Sequence, residues 1–393
     1  MKNYMFVLFS TFIFSGSYSQ TRILISPTLT YQKDSILINQ VIPSLTTYLD
    51  KVEGDNNLNE YISTNNKVHN YVITDELKGM QISYRFKNNY FYKPTLVNAI
   101  PQKDESYHLQ LAFQGINDST SIVTGLFNLI AEKSADNRYV FSSPLPTNTK
   151  NWKTKTVGIT TYHYNDELNE VKALEYHTMV EMFDKKLNNQ NQSIHYYLCQ
   201  DAHEVFSIAG IQFKSQYNGQ KTLAIGSSTA NETVMVSSTN GKSFETFDPH
   251  DLWHDRLAQH TPRNKVNKSI DEACAYLYGG SWGISWKEIF SSFKSKVAND
   301  KQKDWLTTYG KYENFGVSQE LHLYPEFVIN ALLVQKIEKE KGFPAVLEFL
   351  KTGKNDPDDK THSNYFKALS KLTGITKENY NAAVWTLIEN EIK

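Results

Sequence analysis

Three observations predict an α+β chain of two domains. Residues 20–155 mix amphipathic helix with short β-rich runs. Residues 156–247 carry one long helical period among several short strands, and almost everything after Asp248 has apolar residues at a helical spacing. The expected architecture is a small N-terminal α+β domain (20–155), then a domain (156–393) with a small mixed sheet and helices followed by an all-helical half. At 393 residues the chain has room for two to three domains of about 150 residues. Its 40% hydrophobic and 21% charged content excludes disorder, collagen and a coiled-coil rod. With 41 basic against 42 acidic residues the net charge is −1, so no global field draws nucleic acid or an anionic membrane. Two cysteines cannot form a disulfide framework.

The elements follow in chain order. Lys2 precedes an apolar run over 4–14, and Ser15, Gly16, Ser17 and Ser19 come next. This is the order of a secretory signal peptide, here 1–19, and the run is shorter than the roughly 20 residues a membrane-spanning helix needs. The mature chain is expected to be exported, periplasmic or secreted, with no membrane span. Ile38, Val41, Ile42, Leu45, Tyr48, Leu49 and Val52 have a period near 3.6 and predict a helix over 37–52. Residues 72–73, 81–86, 107–113 and 139–141 read as strands. Ile122, Leu126, Phe127, Leu129 and Ile130 read as a second helix over 121–133, inserted in a curved sheet such as a cone-shaped barrel. Pro144, Pro146 and the polar stretch 147–154 resemble an exit linker.

In the second domain, residues 167–187 are helical by period, 193–199 form a short buried strand, and 203–213 make a helical turn closed by Gly210. Residues 222–225 and 232–237 read as two further strands. Helices are expected over 286–297, 326–341, 344–350, 363–372 and 380–392, with Gly342 and Gly374 at helix ends.

One constellation carries chemistry. In His250-Asp251-Leu252-Trp253-His254, Asp248 is a suitable N-cap and Pro249 a suitable first helical residue. Residues four apart share a helix face, so both imidazoles can approach one cation, and imidazole pairs suit Zn²⁺. Eleven histidines give roughly 0.3 such pairs by chance, so the pair needs a third ligand to mean anything. A second helix, Ser269-Ile270-Asp271-Glu272-Ala273-Cys274-Ala275-Tyr276, ends before Gly279-Gly280. Glu272 can reach across as that ligand, because Ala273 and Ala275 permit close packing. Asp271 is the rival carboxylate. Alternatively Ser269 and Glu272 form a capping box, with the glutamate turned back to the serine backbone.

These residues resemble a gluzincin metallopeptidase, of the thermolysin-like kind with His-Glu-x-x-His on one helix and a glutamate on the next. The resemblance covers about residues 156–393. It extends to Tyr324 before a long helix ending in Glu340-Lys341-Gly342 and to Leu369 through Gly374-Ile375. It implies a zincin-like fold, Zn²⁺ on His250, His254 and Glu272, and hydrolysis of a peptide or protein substrate by a metal-activated water. Asp251 departs from the pattern, since that position holds a glutamate base in the family. An aspartate carboxylate sits roughly 1.5 Å further back, and misplacement by about 1 Å can cost about 100-fold. Asp251 also falls in the first helical turn, where the dipole favours its ionised form and weakens it as a base. The alternative is a catalytically weakened or inactive peptidase-fold protein that binds or scaffolds.

Tyr324 is the candidate donor to an oxyanion, with His322 and Tyr312 as substitutes. Asp255 is a candidate carboxylate to orient a ligand histidine. His260 lies off the ligand face, Trp282 and Trp286 are candidate groove walls or core residues, and Cys199 and Cys274 read as buried thiols. No phosphate-cradling glycine loop and no Gly-x-Ser-x-Gly elbow is present.

Overall fold

The structure is a computed structural model that describes residues 23–29, 34–190, 192–311, 313–316, 321–353 and 362–391. The expected signal peptide over 1–19 and the substitute donor Tyr312 lie outside the described residues. The fold is α+β, with twelve α-helices and two mixed sheets among the described residues, and the C-terminal half is mostly helical. The chain divides into two compact units. The first runs to Lys150 and takes in Phe206–Gln220, and the second comprises Asn151–Val205 and Lys221 onward.

The first unit contains β1 (Leu24–Ile25), α1 (Ile42–Lys51, preceded by a π-helical stretch Leu37–Val41) and α2 (Lys67–Leu77). Then come β2 (Lys93–Pro101), β3 (Tyr107–Asn117), β4 (Thr120–Lys133), β5 (Tyr139–Ser142) and α3 (Leu145–Asn148). The sheet order is β1-β2-β3-β4-β5, and the strand Ile211–Lys214, β9 in chain order, also pairs with β4. Among the described residues no pairing of β1 with β5 closes the sheet into the expected barrel.

Four sequence expectations change here. Residues 121–133 are strand β4 and not a helix. Gly125, Phe127, Leu129 and Ala131 alternate into the core, and the helical spacing had merged residues from both faces of the strand. Residues 72–73 lie inside α2, whose sides are nearly all buried, so it shows no polar stripe. Residues 81–86 form turns tied by a single bridge between Ser83 and Asn88. The stretch 147–154 is the end of α3 and the start of the next strand, not a free linker.

The second unit opens with β6 (Lys153–Val157) and β7 (Thr160–Tyr164), then α4 (Glu170–Leu187), β8 (Ser193–Leu198) and α5 (Ala202–Ala209). Strands β10 (Ala224–Ser228) and β11 (Glu232–Ser237) complete a sheet of order β10-β11-β8-β7-β6. Here β11 and β7 run parallel to β8, and the outer strands are antiparallel. The helices α6 (Pro249–His260), α7 (Lys268–Gly279), α8 (Trp286–Lys296), α9 (Pro325–Lys341), α10 (Phe343–Leu350), α11 (Ser363–Thr373) and α12 (Tyr380–Asn390) follow.

One hydrophobic cluster joins Tyr162 and Ile194 of the sheet, Phe183 of α4, Leu252 and Trp253 of α6, and Ile270 and Cys274 of α7. Burying such side chains is the dominant favourable term, about 1.5–3 kcal/mol each. Arg256 of α6, only 3% exposed, meets Asp184 of α4 in a two-pronged pair at 2.7 and 2.8 Å. That fork fixes the rotation of α6, because a buried guanidinium cannot leave its carboxylate unpaired.

Candidate metal centre

The helix α6 begins where its sequence signals place it. Asp248 Oδ1 accepts the backbone N–H of His250 at 2.9 Å, and Pro249 occupies the first turn. Leu252, Trp253, Arg256 and Leu257 are buried, which turns His250 and His254 toward α7. The true N-cap of α7 is Asn267, whose side chain accepts from Ile270 N. Glu272 therefore sits beyond the first turn and is not the partner of a Ser269 capping box.

Three ligand atoms converge. His250 Nε2 and His254 Nε2 are 3.2 Å apart, and Glu272 Oε2 lies 3.4 Å from the first and 3.9 Å from the second. An ion bound tetrahedrally at about 2.0–2.1 Å holds its ligand atoms roughly 3.4 Å apart. The three side chains, all part-buried, thus form a group able to hold a metal ion.

The far nitrogens of both rings are committed elsewhere. His250 Nδ1 lies 2.8 Å from the Gly280 carbonyl, and His254 Nδ1 lies 2.9 Å from Asp271 Oδ1. Both partners only accept, so each Nδ1 carries the proton and each Nε2 presents a lone pair. With both rings neutral, two lone pairs and a carboxylate face one another, an arrangement that a bound metal ion or a proton on His250 relieves. The charges agree. Burial works against a charged His250, but the Glu272 carboxylate and the Gly280 carbonyl outweigh it and raise its pKa above 6.5. Burial likewise works against ionised Glu272, and the two histidines outweigh it and lower its pKa below 4.5.

Asp271, the rival ligand, instead orients His254, and the same Oδ1 accepts Trp253 Nε1 at 3.0 Å. Asp255 does not take that role. Its side chain is 52% exposed and faces the Arg263 guanidinium at 3.6 Å. Sequence reading also missed the part of Gly279-Gly280. A Cβ on Gly279 would stand 2.6 Å from the Pro249 carbonyl carbon and oxygen and 2.7 Å from His250 N. Only glycine lets the end of α7 lie against the start of α6, and that contact delivers the Gly280 carbonyl to His250. The Gly-Gly pair was the legible signal.

Asp251 follows His250 on α6 and opens on a cleft of about 730 Å³ whose lining includes Tyr176, Tyr196, Phe247 and Asp255. The three ligand side chains do not line this cleft. Tyr324, at the N-cap of α9, points its hydroxyl to His322 Nδ1 at 3.4 Å. Tyr276 connects the two regions, with its ring 5.8 Å from His250 and its hydroxyl donating to His322 O at 3.3 Å.

His260 stands apart at the end of α6, 3.4 Å from Lys351 Nζ. Trp282 is 57% exposed, and Trp286 donates to Glu391 at 3.1 Å within the helical half. Cys199 and Cys274 are buried and unbridged. Among the described residues no helix is long and apolar enough to cross a membrane. Compared with known proteins, the chain matches no family model, and no curated protein matches it.

Proposed function

We propose that the chain is an exported zinc-dependent peptidase that hydrolyses peptide bonds at the His250–His254–Glu272 group. The observation that carries this reading is the convergence of two Nε2 atoms and one carboxylate oxygen to tetrahedral spacing, with both Nδ1 atoms held by acceptors. Zn²⁺ in a site of three protein ligands polarises a carbonyl and makes water nucleophilic near neutral pH. Asp251, next to His250 on α6, is the base this reading assigns: it would take the proton from the attacking water and return it to the leaving amine. Asp271 and Gly280 hold the imidazoles in the tautomer that leaves Nε2 free. The Tyr324 hydroxyl is the donor assigned to the developing oxyanion. Export rests on the leader pattern of residues 1–19, which N-terminal sequencing of protein recovered outside the cytoplasm tests.

Asp251 favours a second reading, a weakened or inactive peptidase-fold protein that binds peptides. Metal analysis and Asp251→Glu separate the two. The purified mature chain should hold about one Zn²⁺, absent in His254→Ala. Asp251→Glu should raise peptide hydrolysis about 10- to 100-fold if the base is set back by one methylene. A wild-type chain that binds zinc yet hydrolyses nothing, with Asp251→Glu equally inert, establishes the second reading. A chain that holds no metal removes both.

A further inference from the structure

We infer that the cleft walled by Asp251 and Asp255 is a subsite for a cationic side chain, lysine or arginine, of a bound peptide. The identity of that ligand rests on the peptidase reading, whereas the charge selectivity does not. The floor is aromatic. Tyr176 and Phe247 meet edge to face with centroids 5.4 Å apart, and Tyr176 and Tyr196 do so at 6.2 Å. Tyr176 is 9% exposed, and its hydroxyl has no hydrogen-bond partner among the described residues. Burial first, and neighbouring charges including Asp255, keep both tyrosines in the neutral form.

Asp248, Asp251 and Asp255 line the same space. Asp248 is engaged as the helix cap. The one cation in the lining, Arg256, is already neutralised by Asp184 in a buried fork. Among the described residues Asp255 makes one ion pair, with Arg263, whose side chain is 74% exposed, and an exposed pair of this kind exchanges readily for a ligand's cation. A positive group in a cleft lined by aromatic rings and carboxylates is attracted by both. The aliphatic stem of lysine or arginine suits the apolar walls Ile194 and Met235. An acidic side chain there meets the carboxylates of Asp248, Asp251 and Asp255.

Fluorescence anisotropy on the full chain, metal-loaded and metal-stripped, tests this with labelled peptides that differ at one central residue: Lys, Arg, Leu or Glu. The Lys and Arg peptides should bind about 10-fold tighter than the Leu and Glu peptides, and less so at high salt. Asp255→Asn should reduce that preference about 5-fold or more without changing metal content, and Asp255→Lys should shift it toward Glu. Equal affinity for all four peptides, no binding of any, or an unaltered preference in Asp255→Asn overturns the subsite. Charge-selective binding without hydrolysis keeps the subsite and sinks the peptidase reading. Hydrolysis blind to basic residues does the reverse.

Discussion

At His254 the Nδ1 proton rests on Asp271 Oδ1 at 2.9 Å, and that oxygen also holds the Trp253 indole at 3.0 Å. One carboxylate thereby locks a ring and its neighbour. Asp271→Ala should lower metal affinity by about 10- to 100-fold in competition with a chromophoric chelator, and an unchanged affinity would remove Asp271 from the site. The pH response belongs to the same scale. The pKa of His250 is raised from 6.5 by Glu272 and the Gly280 carbonyl, so its proton competes with the metal more strongly than a free imidazole's would. Glu272, with its pKa lowered below 4.5, stays ionised as that proton binds. Metal affinity should therefore fall as pH drops through a midpoint above 6.5. A calorimetric pH series that finds the midpoint at or below 6.5 contradicts this assignment.

The pair α6 and α7 carries the centre as a unit. Their close approach depends on Gly279, where an added Cβ would meet Pro249 backbone at 2.6 Å. Backbone cannot swing aside as a side chain can. Gly279→Ala should cost about 1–3 kcal/mol in stability and draw the Gly280 carbonyl off His250. Thermal melts and metal titration of that variant should both show losses, and a variant with wild-type melting and affinity argues against a tight α6–α7 contact. The sheet shows the opposite dependence. Strand β4 owes its conformation to pairing along its length with β3, so its local apolar spacing misled a reading by helical period. Helix α2 was hidden because it is buried nearly all round.

Across the second unit, a histidine pair couples folding to pH. His163 Nε2 lies 3.1 Å from His195 Nδ1, and the His163 ring stacks on Tyr197 with centroids 4.1 Å apart. Burial, and then the charge of His195, push the His163 pKa down to about 4 from 6.5. The folded state therefore binds fewer protons than the unfolded state between those values, and stability falls as pH is lowered through that window. The loss is on the order of 1–3 kcal/mol and is complete near the lower value. Denaturant melts at neutral and at mildly acid pH should reveal it, and His163→Phe should flatten the dependence. An identical slope in the variant places the effect elsewhere.

The amino-acid sequence alone determined what is local. The Asp248 cap, Pro249 and the four-residue spacing set His250 and His254 on one face of α6, and apolar period marked out the helices beyond it. Those features need only neighbours within a turn or two. Tertiary structure decided the rest. Whether Glu272 or Asp271 joined the histidines depended on the rotation of α7 against α6. That rotation is set by Gly279 lying against Pro249 and by Arg256 clasping Asp184, two contacts that each join segments distant in sequence.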